Sequence, residues 1–238
     1  MKMCRFKPSG FTLIELALVL VVVALLMGGL LVPLSMQIEQ QKTRETLKAM
    51  EEIKEALIGY SVANDRLPCP ATVASNGAEA PVGGGVCTQT EGFVPVQTLG
   101  LSLPVDTQGL LLDSWGNRIR YRVTDSNTNA FTTTNGMKTA TMSTLSPDLH
   151  VCASNVGITG VTCGTALSLV NTAPVLILSQ GKNWASVPSI DEAANINGDI
   201  VFVSHTLSDA VGNEFDDLVT WLSPNILFNR MVAAGRLP

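Results

Sequence analysis

An uncharged apolar run near the amino terminus passes without a break into an amphipathic pattern. Residues Leu16 to Leu34 are nineteen consecutive positions without a charged side chain. As a helix that rises about 1.5 Å per residue, they could cross a hydrocarbon core of roughly 30 Å. The pattern therefore predicts a membrane-spanning segment at residues 11–34.

Beyond this run, apolar side chains recur every three or four residues, while acidic and basic side chains occupy positions between them. This spacing is typical of a helix with one apolar face. We predict a single helix from near Thr12 to about Ser61, whose second half, residues 35–61, packs on a globular head. The residues of the apolar stripe are Leu47, Met50, Ile53, Leu57 and Tyr60.

Glycine and proline residues punctuate this helix and its end. Proline removes a backbone donor and clashes with the preceding helical turn, so residues 28–33, with Gly28, Gly29 and Pro33, should bend or locally melt the helix. The sequence Asp65 to Pro70 contains two prolines and should end it.

Residues 62–238 are expected to form the head. Strict alternation over residues 118–123 predicts a strand that turns Ile119, Tyr121 and Val123 toward a core and its three arginines toward solvent. Val175 to Leu178 and Ile200 to Val203 are further predicted strands. Short strands without intervening periodic helices favour an α+β fold, with a small antiparallel sheet packed on the long helix.

Two other parts of the head have their own signals. Ser223 and Pro224 suit the start of a helix and Gly235 its stop, so a short helix is predicted over 224–234, with residues 226, 227 and 231 packing on the sheet. The Asn-, Thr- and Ser-rich stretch from Ser126 to Thr144 is compatible with a polar hairpin and with an exposed flexible loop.

Charge indicates how the chain is oriented. Lys2, Arg5 and Lys7 precede the apolar run, and positive charge favours the cytoplasmic side of a membrane, so residues 62–238 would lie outside the cytoplasm. The chain has 15 Lys plus Arg and 20 Asp plus Glu. If the segment that carries Lys2, Arg5 and Lys7 is removed, 12 basic residues remain against 20 acidic ones, a net charge of −8. Such an acidic chain argues against nucleic-acid binding, which needs a cationic surface.

Glu15 lies just inside the apolar run, where a carboxylate needs a partner or must be neutralised. If the bond between Gly10 and Phe11 is cut, Phe11 gains a positively charged α-amino group, and the Glu15 of a neighbouring copy could pair with it. A secretory signal peptide would have a shorter apolar region followed by a small-x-small cleavage site. An uncleaved anchor would not account for Glu15.

The segment Lys7-Pro-Ser-Gly10 followed by Phe11-Thr-Leu-Ile-Glu-Leu16 resembles the processing signal of type IV prepilins and of type II secretion pseudopilins. The resemblance implies that residues 1–10 are a leader peptide. It also implies that an inner-membrane prepilin peptidase cuts after Gly10 and methylates Phe11, and that Glu15 guides subunit docking. The fold implied is pilin-like, and the implied partners are other pilin or pseudopilin subunits and an inner-membrane assembly platform.

Parts of the head resemble major pseudopilins as well: the turn at Asp113–Asn117, the loop at Ser179–Asn183 and the segment Asn213–Trp221. The resemblance implies a Ca²⁺ site between the last two segments, because carboxylate and amide oxygens suit that ion. We prefer solvated acidic turns as the interpretation of these residues. The candidate ligands are Asp191, Asn197, Asp199, Glu214, Asp216 and Asp217.

Loss of Cys4 with the leader would leave four cysteines, an even number that predicts two disulfides in an oxidising compartment. Three connectivities are possible. We favour Cys69–Cys87 and Cys152–Cys163, because each pair brackets a Gly-rich stretch. A zinc site is disfavoured, because the chain has no Cys-x-x-Cys and only two histidines.

Two classes of function remain. The first is a structural subunit, a minor pilin or pseudopilin, of a type IV pilus or a secretion pseudopilus. The second is a membrane-anchored periplasmic binding module or enzyme that does not polymerise. The chain has no Gly-x-Ser-x-Gly nucleophile motif and few histidines, which argues against an enzyme.

Overall fold

A helix of 52 residues, α1, runs from Leu13 to Asn64. The computed structural model describes Gly10 and residues 12–237, without the side chains of residues 26–34. The helix continues through Pro33, so the predicted local melting does not occur. It ends where Asp65 adopts a left-handed backbone conformation with φ of 58°, three residues before Pro68.

Among the residues whose side chains are described, no helix is both long enough and apolar enough to span a bilayer. Phe11 and residues 26–34 of the predicted spanning segment lie outside that description, as do residues 1–9 of the predicted leader.

The chain divides into two compact units, one that ends at Thr43 and one that begins at Arg44. The second unit, called the head unit, therefore includes the last turns of α1 together with residues 62–238. Met50, Ile53 and Leu57 are fully buried in it, as the stripe predicted, but Leu47 is 41% exposed. The buried Thr46 lies one position earlier and accepts a hydrogen bond from the Ser114 N–H at 3.2 Å.

Beyond α1, the head contains short strands and helices. The strands are β1 Glu91–Phe93, β2 Arg120–Val123, β3 Leu149–Cys152, β4 Ser168–Ala173, β5 Val175–Ser179, β6 Val201–Val203, β7 Ser208–Ala210, β8 Asn213–Phe215 and β9 Leu218–Leu222. The helices are α2 Val96–Leu99, α3 Ser126–Asn129, α4 Gly136–Ala140, α5 Ile190–Ala194 and α6 Pro224–Ala233.

The main sheet has the order β1-β2-β5-β9 and is antiparallel throughout. Tyr121 of β2 lies opposite Ile177 of β5, which in turn lies opposite Thr220 of β9. One face of this sheet packs on the buried stripe of α1, on α6 and on side chains of the loops, and forms the main core. Ile119, Tyr121 and Val123 point into that core, as predicted.

A second sheet covers the other face and has the order β4-β3-β6. Its β3–β4 pair is antiparallel, but β3 and β6 run parallel, and β7 and β8 form a separate hairpin. The prediction of one small antiparallel sheet is therefore too simple. The prediction of three solvated arginines fails at Arg122, because the second layer leaves only 8% of it exposed and Gly198 and Glu91 accept its hydrogen bonds.

The stretch from Ser126 to Thr144 is neither a hairpin nor an exposed flexible loop. It contains the single turn α3, in which Asn127 and Thr128 are left-handed, and the short helix α4. Phe131 and Met137 are fully buried and anchor the stretch in the main core. These two buried side chains attach an otherwise polar segment to the head.

Helix α6 begins at Pro224 after Ser223, as predicted, and Gly235 follows its end. Leu227 and Met231 are fully buried in the main core. Ile226, also predicted to pack on the sheet, is 50% exposed, because the neighbouring position on the helix takes the buried place.

Two disulfides close loops of the head, Cys69–Cys87 and Cys152–Cys163, which is the pairing favoured from the sequence. Glu79, inside the first loop, also forms a buried ion pair at 2.6 Å with Arg66, which precedes the loop. Glu79 accepts further hydrogen bonds from the N–H groups of Cys69 and Gly83. Burial opposes its ionisation, but the Arg66 contact and these N–H donors outweigh it and lower the pKa of Glu79.

Candidate functional site

Hydrogen bonds link the turn Asp113–Asn117 to the end of β5 and to the loop that follows β5. Asp113 Oδ1 accepts hydrogen bonds from the N–H groups of Trp115 at 2.9 Å and Asn117 at 2.8 Å. Its other oxygen, Oδ2, accepts one from the Ser179 hydroxyl at 2.6 Å. A buried carboxylate thus holds its own turn closed and fixes the end of β5.

The loop after β5 then approaches a pair of aspartates between β8 and β9. Gly181 has φ of 60°, and a Cβ at this position would lie 2.4 Å from the Asp216 carbonyl oxygen, so only glycine fits. The N–H groups of Lys182 and Asn183 donate to Asp216 Oδ2 at 2.8 and 2.9 Å. Two of the segments noted in the sequence therefore meet here.

A third carboxylate joins this pair from α5. Ser189 and Glu192 form a capping box at the start of α5, which fixes the Glu192 side chain. One carboxylate oxygen from each of Glu192, Asp216 and Asp217 lies within 4.8 Å of the others. Glu192 and Asp217 are only 3% and 5% exposed, so this carboxylate cluster is not a set of solvated acidic turns.

The three carboxyl groups differ in acidity because their surroundings differ. Burial raises the pKa of Asp217 to about 7, and the neighbouring charges of Glu192 and Asp216 add to this effect. Burial also raises the pKa of Asp216 to about 6. At Glu192, burial is outweighed by hydrogen bonds from the N–H groups of Ser189 and Asp216 and from Asn183, which lower its pKa.

The donor set of the carboxylate cluster fits a hard cation. Asp216 Oδ1 is buried and, within the described part of the chain, has no hydrogen-bond partner. A buried oxygen without a partner is costly unless a proton or a cation neutralises it. Three carboxylates that lie this close also repel one another, and a divalent cation would remove that repulsion.

The remaining candidate ligands do not join the carboxylate cluster. Asp191 accepts a hydrogen bond from the Asn155 N–H at 2.7 Å and pairs with His205 Nε2 at 3.0 Å. Asp199 accepts hydrogen bonds from the Val201 N–H and from Asn197, at the start of β6. Glu214 lies in the exposed hairpin and accepts a hydrogen bond from the Gly212 N–H.

At the amino terminus, a second capping box starts α1. Glu15 Oε2 accepts hydrogen bonds from the Thr12 N–H at 3.0 Å and from the Thr12 hydroxyl at 2.8 Å. The Thr12 hydroxyl in turn accepts one from the Glu15 N–H at 3.3 Å. Thr12 therefore both caps the helix and orients the Glu15 carboxylate, which is exposed along with the apolar side chains around it.

Residues 5–31 match the family model of the prokaryotic N-terminal methylation motif. This motif is the prepilin-type cleavage and methylation signal, and it contains Gly10, Phe11, Thr12 and Glu15. The methylation motif supports a precursor of the type IV pilin or pseudopilin kind, one that a prepilin peptidase processes. No curated protein and no solved structure matches the chain.

Within the methylation motif, Gly10 is exposed, whereas Phe11, the expected site of methylation, lies outside the described residues. Sequence reasoning missed two residues of these sites, Thr12 and Glu192. The signal for both was present, because Thr12-x-x-Glu15 and Ser189-x-x-Glu192 have the spacing of a capping box.

Proposed function

We propose that the chain is a structural subunit, a minor pilin or pseudopilin, that is inserted in the inner membrane by its amino-terminal helix. A prepilin peptidase cuts it after Gly10 and methylates Phe11. The processed subunit then assembles with other pilins, through an inner-membrane platform, into a type IV pilus or a secretion pseudopilus. Its role is structural rather than catalytic, and its head lies on the periplasmic side.

The methylation motif at residues 5–31 is the observation that carries this proposal. The contacts of Thr12 with Glu15 support it, because they place a carboxylate at the start of a long helix. The other side chains over residues 13–25 are apolar and exposed. A charge in apolar surroundings requires a partner. The α-amino group of a neighbouring processed chain is a partner of the required sign.

We also propose that the carboxylate cluster of Glu192, Asp216 and Asp217 holds Ca²⁺. The partnerless Asp216 Oδ1 and the closeness of the three carboxylates support this proposal. The ion would bring Asp216 and Asp217 into their charged forms and would tie the start of α5 to the segment between β8 and β9. Its role would be to stabilise the head.

Replacement of Glu15 tests the assembly role. Glu15→Leu keeps an apolar, helix-compatible side chain but removes the charge, so we expect the chain to insert and be processed but not to enter filaments. Filament content in sheared or membrane fractions and the amino-terminal mass of the processed chain are the two measurements. Glu52→Leu is the matched control, since Glu52 is an exposed glutamate on the same helix, and it should assemble normally.

Unchanged incorporation of Glu15→Leu would contradict the assembly role of Glu15, whereas a wild-type chain that is processed but absent from filaments would favour a membrane-anchored periplasmic module that does not polymerise. A chain whose mass shows the uncut leader would instead contradict cleavage after Gly10. The two outcomes separate processing from assembly.

A further inference from the structure

Strand β4 forms an outer edge of the second sheet, and the structure pairs it only with β3 among the described residues. Leu167 and Leu169, two positions apart, are 71% and 44% exposed on and beside this edge. Val170, the next residue along the strand, packs on the core beneath the sheet. The two leucines thus form an apolar ridge on the solvent side of an open edge.

No Asp, Glu, Lys or Arg occurs between Leu149 and Gly181, a stretch that includes β3, β4 and β5. Open edges normally carry charged side chains or prolines, because an unguarded edge pairs with other chains. Strand β4 has register shifts against β3 but no charge. In an acidic chain, an edge without charges is therefore a surface on which another strand can pair.

Strand β9 is an outer edge of the main sheet, and a groove of about 410 Å³ lies beside it. Residues from β9, α6 and α1 line this groove, among them Val219, Trp221, Ile226 and Lys54. Val219 and Trp221 are half-buried, and Ile226 is 50% exposed. The groove therefore combines an open strand edge with apolar side chains, which is the arrangement that accepts an added strand.

The ridge and the groove belong to different strand edges of the head. In the second sheet, β4 and β6 are opposite edges with β3 between them. Ser204, the residue that follows β6, lines the groove beside β9. A contact between two different surfaces of one molecule can repeat from copy to copy without closing, which is the geometry of a filament.

Charge selects a second copy of this chain as the occupant. The processed chain has a net charge of −8, so two heads repel each other wherever their carboxylates meet. Among the described residues that line the groove there is no carboxylate and one cation, Lys54, which is paired with Glu51 at 2.8 Å. The uncharged stretch around β4 is the complementary neutral surface.

We propose that β4 of one copy docks along β9 of the next, with Leu167 and Leu169 seated against Trp221 and Ile226. This inference rests on the proposed function, because tethered and aligned heads provide the high effective concentration that a contact of this size needs. It names the two surfaces of the head that meet in the assembly.

Cysteine cross-linking in the assembled full-length chain tests the contact. Chains with both Leu169→Cys and Ile226→Cys should give a ladder of disulfide-linked multimers after mild oxidation, and each single variant should not. Leu169→Cys combined with Val211→Cys is the matched control, because Val211 is 98% exposed and therefore more accessible than Ile226. We expect roughly tenfold more cross-linked product from the docked pair than from the control.

Two outcomes would overturn the proposal: filaments that assemble but give no ladder above the control, and dimers from Leu169→Cys alone, which would mean that β4 pairs with β4. Charge provides an independent test. Leu169→Glu should reduce filament yield, and Ile226→Lys in the same chain should restore it if the two positions meet. Protection of the two native disulfides from reduction reports that each variant has folded.

The outcomes of this test and of the Glu15→Leu test are separable. If Leu169→Glu and the cross-linking pair behave like the control while Glu15→Leu blocks assembly, the head contact is wrong and the subunit role stands. If the wild-type chain itself is processed but absent from filaments, the subunit role fails. Cross-linking is measured only on chains that have assembled.

Discussion

Glu192 and Asp217 are neighbouring buried carboxyl groups with opposite behaviour. Glu192 is surrounded by N–H donors, which favour its charged form. Asp217 receives a hydrogen bond from Asn195 at 2.8 Å, but burial and two nearby carboxylates dominate. The number of donors that reach each oxygen, rather than burial alone, decides which group holds a proton.

The raised pKa of Asp217 makes stability depend on pH in a defined direction. Its pKa is about 7 in the folded head against 3.8 for the free group, so the folded state binds the proton more tightly. Without a cation, the contribution of Asp217 to the free energy of unfolding should be complete below pH 3.8 and should fall by about a few kcal/mol as the pH rises through about 7. Thermal unfolding in a chelator, followed across this range, measures the effect.

Calcium should cancel this loss, because a bound cation replaces the proton. At pH 7.5, added Ca²⁺ should raise the melting temperature of the wild type, whereas Asp217→Asn should respond weakly and should lose, in chelator, the part of the pH dependence that Asp217 contributes. Asp199→Asn is a matched control outside the carboxylate cluster. An equal calcium response in all three proteins would contradict the site.

At the scale of elements, α6 offers two adjacent residues with different environments. Leu227 is fully buried in the main core, while its neighbour Ile226 is half exposed beside the groove. Leu227→Ala should lower the free energy of unfolding by about 2 to 5 kcal/mol, because it removes buried methyl groups and leaves a cavity. Ile226→Ala should change it by less than about 1 kcal/mol. Urea unfolding of the two variants measures both values, and equal losses would contradict the packing of α6.

The elements that the sequence predicted well are those with strong local patterns. Strand β2 alternates, α6 has a proline at its start and a glycine after its end, and α1 has a long apolar stripe. The failures depend on distant packing. Arg122 is buried because a second sheet covers it, and β3 pairs in parallel with a strand some 50 residues later, which no local pattern reveals.

The carboxylate cluster was predictable only in part for the same reason. Asp216 and Asp217 are adjacent in sequence and were found, whereas Glu192 comes from helix α5 and joins them through tertiary packing. Asp191 is next to Glu192 in sequence but turns toward His205. A list of acidic residues cannot distinguish these two neighbours, because the helix directs them to different sides.

At the scale of the whole molecule, the two disulfides make the thiol count a measure of processing. Four cysteines are paired in the head, and the fifth, Cys4, precedes the expected cleavage site. Under denaturing but non-reducing conditions, a thiol reagent should label one cysteine in the precursor and none in the processed chain. Mass spectrometry of both forms measures this difference.

Cys4→Ser is the control for that count, because it should remove the label from the precursor and leave processing intact. Labelling of the processed chain would contradict one of the two disulfides. Loss of either disulfide should lower stability by about 3 kcal/mol on the loop-entropy model.

The capping box at the start of α1 has a consequence for what cleavage changes. The Thr12 N–H that binds Glu15 belongs to the peptide bond between Phe11 and Thr12, which remains intact when the chain is cut one bond earlier. Processing can therefore leave the helix start unchanged and add only a positive charge to Phe11. That charge would lie at the positive end of the helix dipole, where it is unfavourable without a nearby carboxylate. In the proposed assembly, Glu15 would serve two amines, that of its own chain and that of a neighbour, and exchange between them would let subunits dock without refolding.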